Sequence, residues 1–296
     1  MNFLDQREPI AGLGGRTVGD FWQWAYSDIL SNRNRSIFAE YIVGIALGVI
    51  DSPRIEWDAA DLCYRGFKIE VKASAYVQEW WQNKLSTIRY GISKARFWDR
   101  TTNKYIGQPT RCAHVYVFCL YSETDKAKAN ANILKVESWE FYVASTETLN
   151  QECPSAESLS LETVQRICHK CVFDQLKEAM DNVLSGAAIH IRNGNKRLGV
   201  IRYRNGLMTA FDIHRRILAQ YNPSNQITRD PVNRLLERGN VLEVLIRATS
   251  KNPKTAKPIA TMKLFGHRLC GSKPVRSYLS FTSVPYRLYR GCSKAG

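Results

Sequence analysis

The chain has no long apolar run. Nowhere in its 296 residues do the roughly 18 consecutive apolar positions of a membrane-crossing helix occur. The opening Met1-Asn2-Phe3-Leu4-Asp5-Gln6 lacks the basic and apolar regions of a secretory leader. A cytoplasmic protein with no membrane partner is expected. Acidic residues are scarce in one half only. Residues 185–296 hold 4 Asp/Glu against 21 Lys/Arg, a net +17, whereas residues 1–184 hold 23 against 21, a net −2. The whole chain carries +15, which argues for a polyanionic partner. A phosphate-cradling loop is missing as well. Gly12, Gly14 and Gly15 follow no strand signal and lead to no Gly-Lys-Ser/Thr. A zinc module is also missing. Cys168-His169-Lys170-Cys171 has the inner spacing of a zinc knuckle, but no second close pair accompanies it. The 8 cysteines are expected to be reduced, mostly buried thiols.

What is present suffices for a core. With 44% hydrophobic residues, the chain is long enough for one large or two modest domains. A first helix is expected over 17–30, capped by Thr17 with Asp20 in a weak capping box, and with Val18, Phe21, Trp22, Ala25 and Ile29 as its apolar stripe. After a polar break at 31–35, Ser36 caps a second helix to about Val49. Ile37, Tyr41, Ile45 and Gly48 mark its buried side, Glu40 lies on the flank, and Gly44 lets the helix approach a sheet.

The next stretch, Asp61-Leu62-Cys63-Tyr64-Arg65-Gly66-Phe67-Lys68-Ile69-Glu70-Val71-Lys72, reads as two short strands folded over an Arg65-Gly66 corner. That corner sets Tyr64 opposite Phe67, Cys63 opposite Lys68, and Asp61 opposite Glu70. Strand parity keeps Glu70 and Lys72 on one face. Two carboxylates so close raise each other's pKa or recruit a cation. Mg²⁺ takes such hard oxygen ligands. A neighbouring lysine then assists an attacking water or stabilises charge on phosphate. A solvated hairpin face with a cross-strand salt bridge is the alternative.

The pattern of Asp61 followed by Glu70-Val71-Lys72 resembles the PD-(D/E)XK nucleases, the superfamily of many type II restriction endonucleases. Ala60 stands where that pattern often has proline, and Asp58 is a rival for the first carboxylate. The resemblance covers about residues 17–184. It implies a restriction-endonuclease-like α/β fold, a mixed sheet flanked by helices. It also implies Asp61, Glu70 and the Val71 carbonyl as metal ligands, Glu40 holding a second ion or an outer-shell water, and Lys72 as the group acting on water. Mg²⁺ is the implied cofactor, with Mn²⁺ as a substitute. Double-stranded DNA is the implied substrate, and a homodimer is expected for two-strand cleavage.

Gln78, Gln82, Lys84, Arg89 and Arg96 are candidate DNA contacts beyond the motif. Trp80 and Trp81 are read as packing residues or base-stacking ones. Apolar runs at 114–121 and 139–145 are central strands, 124–132 is a short helix or loop, and 160–169 and 172–184 are helical. Past a joint at Ser185-Gly186, a strongly basic α+β domain over 185–296 is expected to hold DNA or read its target. Asn193-Gly194 and Asn205-Gly206 are hairpin corners. Asp212 starts a helix to Tyr221, Asp230-Pro231 starts another that stops at Gly239, and 241–249, 259–265 and 278–282 are strands. Arg215, Arg216, Lys251, Lys254 and Lys257 are its candidate phosphate contacts. An Mg²⁺-dependent DNA endonuclease of restriction type is the leading expectation. The alternatives are a structure-selective nuclease and a DNA-binding protein that keeps the fold without catalysis.

Overall fold

The computed structural model describes residues 2–55, 60–99, 104–193 and 196–251. Asp58, Gly194, Lys254, Lys257 and the expected strands at 259–265 and 278–282 lie outside the described residues. Helix α1 (Val18–Tyr26) starts at the expected cap. The Thr17 hydroxyl accepts from Asp20 N at 3.2 Å, and the Asp20 carboxylate accepts from Thr17 N at 2.7 Å. The helix stops at Tyr26 rather than near 30, no residue of it is buried, and of the expected stripe only Ile29, beyond its end, packs against the core.

Helix α2 (Asn32–Leu47) begins earlier than expected. Ser31 caps it, while the Ser36 hydroxyl donates back to Asn32 O at 2.9 Å from within the helix. Its buried side is also different. Tyr41 and Ile45 are exposed, and Ala39, Ile42, Val43 and Leu47 face inward together with the polar Asn34, Arg35 and Glu40. Gly44 faces a crowded spot. A Cβ there would come within 2.1 Å of Ile50 Cδ1 and 3.5 Å of Leu62 Cδ2.

Strands β1 (Leu62–Tyr64) and β2 (Phe67–Ala75) form the motif hairpin. Three short strands follow: β3 (Arg89–Gly91), β4 (Ala95–Asp99) and β5 (Lys104–Thr110). Then come β6 (Val115–Tyr121), α3 (Lys126–Asn132), β7 (Trp139–Ser145) and α4 (Thr146–Glu152). Next are β8 (Ser158–Ser160), α5 (Leu161–Ile167), β9 (His169–Cys171) and α6 (Leu176–Leu184). The main sheet has the order β1-β2-β6-β7-β9. β2 and β6 run parallel and the other neighbours antiparallel. Every residue of β6 is buried, as expected of a strand covered on both faces. Val71, Val117, Phe141 and the inner side of α2 and α6 build one core. Tyr116, Phe118 and Tyr142 meet α4, α5 and the β3–β8 pair on the other face. The helix expected to run to His169 ends at Ile167, and His169–Cys171 is instead the edge strand β9, paired with β7.

Six antiparallel strands follow in sequential order: β10 (Ala188–Asn193), β11 (Lys196–Arg204), β12 (Leu207–Asp212), β13 (Ile217–Asn222), β14 (Ile227–Arg229) and β15 (Leu235–Arg238). Helix α7 (Leu242–Lys251) packs on them. Asn205 and Gly206, at φ 52° and 76°, make the expected β11–β12 corner. The two expected helices at Asp212 and Asp230 are strands joined by tight loops. Asp212 Oδ1 accepts from His214 N and Arg216 N, both at 2.9 Å, and Oδ2 accepts from Arg216 Nε at 2.7 Å. Asp230 does the same with Val232 N (3.0 Å), Arg234 N (2.8 Å) and Arg234 Nε (2.7 Å). An aspartate that closes such a turn accepts the same N–H groups as a helix cap, so the residue type does not separate the two. The strand expected at 241–249 is helix α7, because Leu242, Leu245, Ile246 and Thr249 fall on one helical face and are buried.

One hydrophobic cluster runs through both halves of the chain. Phe67 meets Tyr203 edge-on at 6.2 Å, and a Cβ on Gly66 would lie 3.6 Å from Met208 Cε. The fold is thus mixed α/β, with several sheets flanked by helices. No helix among the described residues is long and apolar enough to cross a membrane.

Candidate active site

The hairpin corner fixes everything around it. Arg65 and Gly66 both have positive φ, 51° and 80°, as a two-residue turn that follows the strand twist requires. The resulting register is the expected one: Tyr64 faces Phe67, Cys63 faces Lys68 and Leu62 faces Ile69. Asp61, one step before Leu62, is therefore level with Glu70. The tip is anchored from two sides. The Arg65 guanidinium pairs with Asp181 of α6 at 3.0 Å and lies over the rings of Tyr64 (4.8 Å) and Tyr203 (5.1 Å). Tyr64 OH donates to Asp181 Oδ1 at 2.9 Å. At the root of the same hairpin, His114 Nδ1 accepts from Lys68 N at 2.9 Å, and burial holds that imidazole down at about 4.

β1 is too short to pair with all of β2, and Asp61 takes over where it ends. Its Oδ2 accepts from Val71 N at 2.7 Å. The N–H and C=O of one strand residue face the same side, so the Val71 carbonyl points to the same edge. Glu70 and Lys72 are half-buried on one face of β2, with Lys72 Nζ 2.5 Å from Glu70 Oε1. Glu40 arrives from α2, buried at 7% exposure. Arg54 grips both of its oxygens, Nε to Oε2 at 2.5 Å and Nη2 to Oε1 at 2.9 Å.

Asp61 feels all of these groups. Burial, then the Glu70 charge, pushes its carboxyl from 3.8 up to about 7. The Val71 N–H opposes this, Glu40 adds to it, and Lys72 opposes it. The four residues singled out from the sequence, Asp61, Glu70, Lys72 and Glu40, thus share one electrostatic neighbourhood. Among the described residues, no group of three or more His, Cys, Asp or Glu is placed to hold a metal ion together. Asp61 and Glu70 nonetheless offer hard oxygen donors, and a divalent cation there would relieve the repulsion that raises Asp61. Glu40 is committed to Arg54 rather than left open towards an ion.

The expected DNA-contacting residues divide. Lys84, Arg89 and Arg96 are exposed, with Arg89 Nη1 donating to Ser158 Oγ at 3.0 Å. Gln78 is buried, its Oε1 accepting from Arg35 and its Nε2 donating to Ala75 O at 2.8 Å. The Gln82 amide staples its own loop, accepting from Gln78 N at 2.5 Å and donating to Ser86 Oγ at 2.9 Å. Trp80 and Trp81 are exposed, at 53% and 82%, rather than packed. Arg215 is exposed at a left-handed position, φ 63°, and Arg216 is tied to Asp212. Lys251 is the last residue of α7. Arg54 and Arg35 were not singled out from the sequence. Arg35 lies in the polar first turn of α2 and Arg54 in the polar stretch after it, where nothing local separates a buried arginine from a solvated one. The six cysteines among the described residues are free thiols. Burial pushes Cys168 and Cys171 up to about 12 and 11, which disfavours the thiolates a zinc ion would need.

Comparison with protein-family models, with curated proteins and with solved structures returned no match.

Proposed function

We propose that the chain is an Mg²⁺-dependent endonuclease that hydrolyses phosphodiester bonds in double-stranded DNA, on a restriction-endonuclease-like sheet. One observation carries this reading: the Asp61 carboxyl, pushed up to about 7 beside Glu70, with Lys72 on the same strand face. Structural salt bridges neutralise charge, whereas this arrangement keeps an excess of carboxylate at a strand end. Asp61 and Glu70 are the residues that would hold Mg²⁺, or Mn²⁺ in its place, with the Val71 carbonyl beside them. A bound divalent ion supplies a Lewis acid and lowers the pKa of water. Lys72, now held by Glu70, would turn to the attacking water or the phosphate once Glu70 has another partner. Glu40, locked by Arg54, acts through its field on Asp61 and on outer-shell water. The exposed arginines of β11 support a grip on the DNA backbone. Two-strand cutting is most simply done by a two-fold homodimer, which sedimentation with and without DNA tests.

Plasmid nicking and linearisation with Mg²⁺ tests the activity. Lys72→Ala and Asp61→Asn should lose cleavage; if either cuts like the parent, the site assignment is wrong. Methylated, unmethylated and branched substrates in the same assay separate restriction from structure-selective cutting. A second reading, a DNA-binding protein without catalysis, is favoured by the closed Glu40–Arg54 and Glu70–Lys72 pairs. Binding without cleavage in both Mg²⁺ and Mn²⁺ would select it.

A further inference from the structure

A polar cleft of about 320 Å³ opens beside the C-terminal half of β2, between the first turn of α2 and the chain that leads to β3. No Asp or Glu lines it. Its wall includes Arg35, Ser74, Gln78, Thr87 and Arg89. Arg35 is the unusual member. The residue is only 4% exposed, yet no carboxylate among the described residues pairs with it. Its Nη1 donates to Leu30 O at 2.8 Å, and its Nη2 to Asn32 Oδ1 and to Gln78 Oε1 at 3.2 Å. These acceptors are all neutral, and the buried Nε has no partner among the described residues.

A buried guanidinium without a counter-charge is costly, and an arginine stays charged even there. The missing partner is an anion. α2 adds to the demand, because its positive end lies at the cleft and its first turn contains no acid. A flat carboxylate and a phosphate would both satisfy the fork of an arginine. Phosphate fits this cleft better, since Ser74 and Thr87 bring hydroxyls and Arg89 stands exposed at the rim. Position adds the last element. Ser74 lies on the same face of β2 as Lys72, two residues on, or about 6.6 Å along the strand. A nucleic-acid strand advances about 3.4 Å per nucleotide along its axis.

We propose that the cleft holds a backbone phosphate of the bound nucleic acid, about two nucleotides from the bond that faces Lys72. The assignment rests on the endonuclease reading for its choice of strand. The chemistry of the site, one phosphate against Arg35 and hydroxyls, does not depend on that reading.

Full-length protein in EDTA is titrated calorimetrically with inorganic phosphate, and separately with a short DNA duplex. Ser74→Asp places a carboxylate beside Arg35, and a thermal melt verifies that this variant folds. It should weaken inorganic phosphate binding by about tenfold or more and duplex binding by about tenfold, and lower the salt slope of duplex binding by about one. Arg35→Lys, which keeps the charge but not the fork, should fall between Ser74→Asp and the parent. If Ser74→Asp binds inorganic phosphate like the parent, the anion site is refuted. If it loses inorganic phosphate but keeps parental duplex affinity, a free phosphate and not the backbone is the ligand, and the assignment is overturned. Lys72→Ala separates the two ideas. It should keep both binding events and lose cleavage; cleavage by that variant would sink the catalytic assignment and leave the cleft result standing.

Discussion

Asp61→Asn should make the protein more stable at alkaline pH while removing the proposed cleavage activity. In the folded chain the Asp61 carboxyl titrates near 7 instead of 3.8. Its folded pKa lies above its unfolded one, so the fold favours the protonated acid. That contribution is complete below about pH 4 and is lost as pH rises through about 7. The shift is about 3 pH units, and at about 1.4 kcal/mol per unit it gives an upper bound of about 4 kcal/mol. Partial solvent access reduces this, and about 2–4 kcal/mol is expected. An asparagine cannot ionise, yet its carbonyl oxygen can still accept from Val71 N as Asp61 Oδ2 does. Melting of parent and variant in EDTA should therefore coincide below about pH 4, separate progressively between about pH 4 and pH 7, and keep a constant gap above that. There the variant should be higher by about 5 °C or more for a chain of this size. Added Mg²⁺ should raise the melting point of the parent at pH 8 and leave the variant nearly unchanged, because only the parent keeps both carboxylates. Parallel pH curves would refute the buried-acid reasoning. An equal Mg²⁺ response in both proteins would refute Asp61 as a metal ligand.

His114 supplies an opposite pH limb. Its folded pKa, about 4, lies below the usual 6.5, so its contribution is present above pH 6.5 and lost as pH falls through about 4. His114→Asn should flatten the fall in unfolding free energy, measured with urea, over that range by about 3 kcal/mol or less. Arg54→Met should cost about 3 kcal/mol at pH 8 by leaving Glu40 buried and unpaired. It should also shift the pH profile of cleavage to higher pH, since proton uptake by the carboxylate group becomes easier. Asp212→Ala should cost about 2 kcal/mol in chemical unfolding by freeing two loop N–H groups and the Arg216 head. It should leave the affinity for DNA close to that of the parent.

The parts of this fold that rest on local rules were legible. Arg65-Gly66 and Asn205-Gly206 specify their corners by positive φ, and the corner then dictates the register that brings Asp61 level with Glu70. β6 announces itself by apolar residues at both parities. Legibility failed where tertiary contacts decide. The inward face of α2 is marked by Asn34, Arg35 and Glu40, so a search for an apolar stripe selects Tyr41 and Ile45 instead. Asp212 and Asp230 each head a five-residue loop closed by an arginine. The repeat is visible in retrospect, since Tyr203, Asp212 and Arg216 recur 18 residues later as Tyr221, Asp230 and Arg234. For the site, the spacing of Asp61, Glu70 and Lys72 was enough to group them. The partner that closes Glu40 was not visible, because Arg54 reaches it across the turn after α2 rather than along a helix.

The basic half was expected to hold DNA through residues that include Arg215 and Arg216, and the structure gives its arginines unequal standing. Arg216 and Arg234 each sit on an aspartate, at 2.6 Å and 2.7 Å, so their charge is already compensated and their heads close loops. The outer face of β10 and β11 is different. Arg197, Arg202 and Arg204 are exposed there, and His190 is lowered by burial and by the fields of Arg197, Arg192 and Arg202. A histidine that feels several arginines at once reports a concentrated positive surface, which is what a phosphate backbone seeks. Changing Arg197, Arg202 and Arg204 together to Gln should weaken duplex binding strongly. If all three meet phosphates, the slope of log affinity against log salt should fall by about 3, at about 0.9 per contact. Arg216→Gln should instead lower the melting point and barely change that slope. Binding is best followed by fluorescence anisotropy on the full chain across a salt series, with Lys84, Arg89 and Arg96 substituted together as the comparison. Retention of the parental slope by the β11 triple variant, with loss in the comparison, would move the DNA grip to the first half and leave the meander a structural support for the hairpin tip.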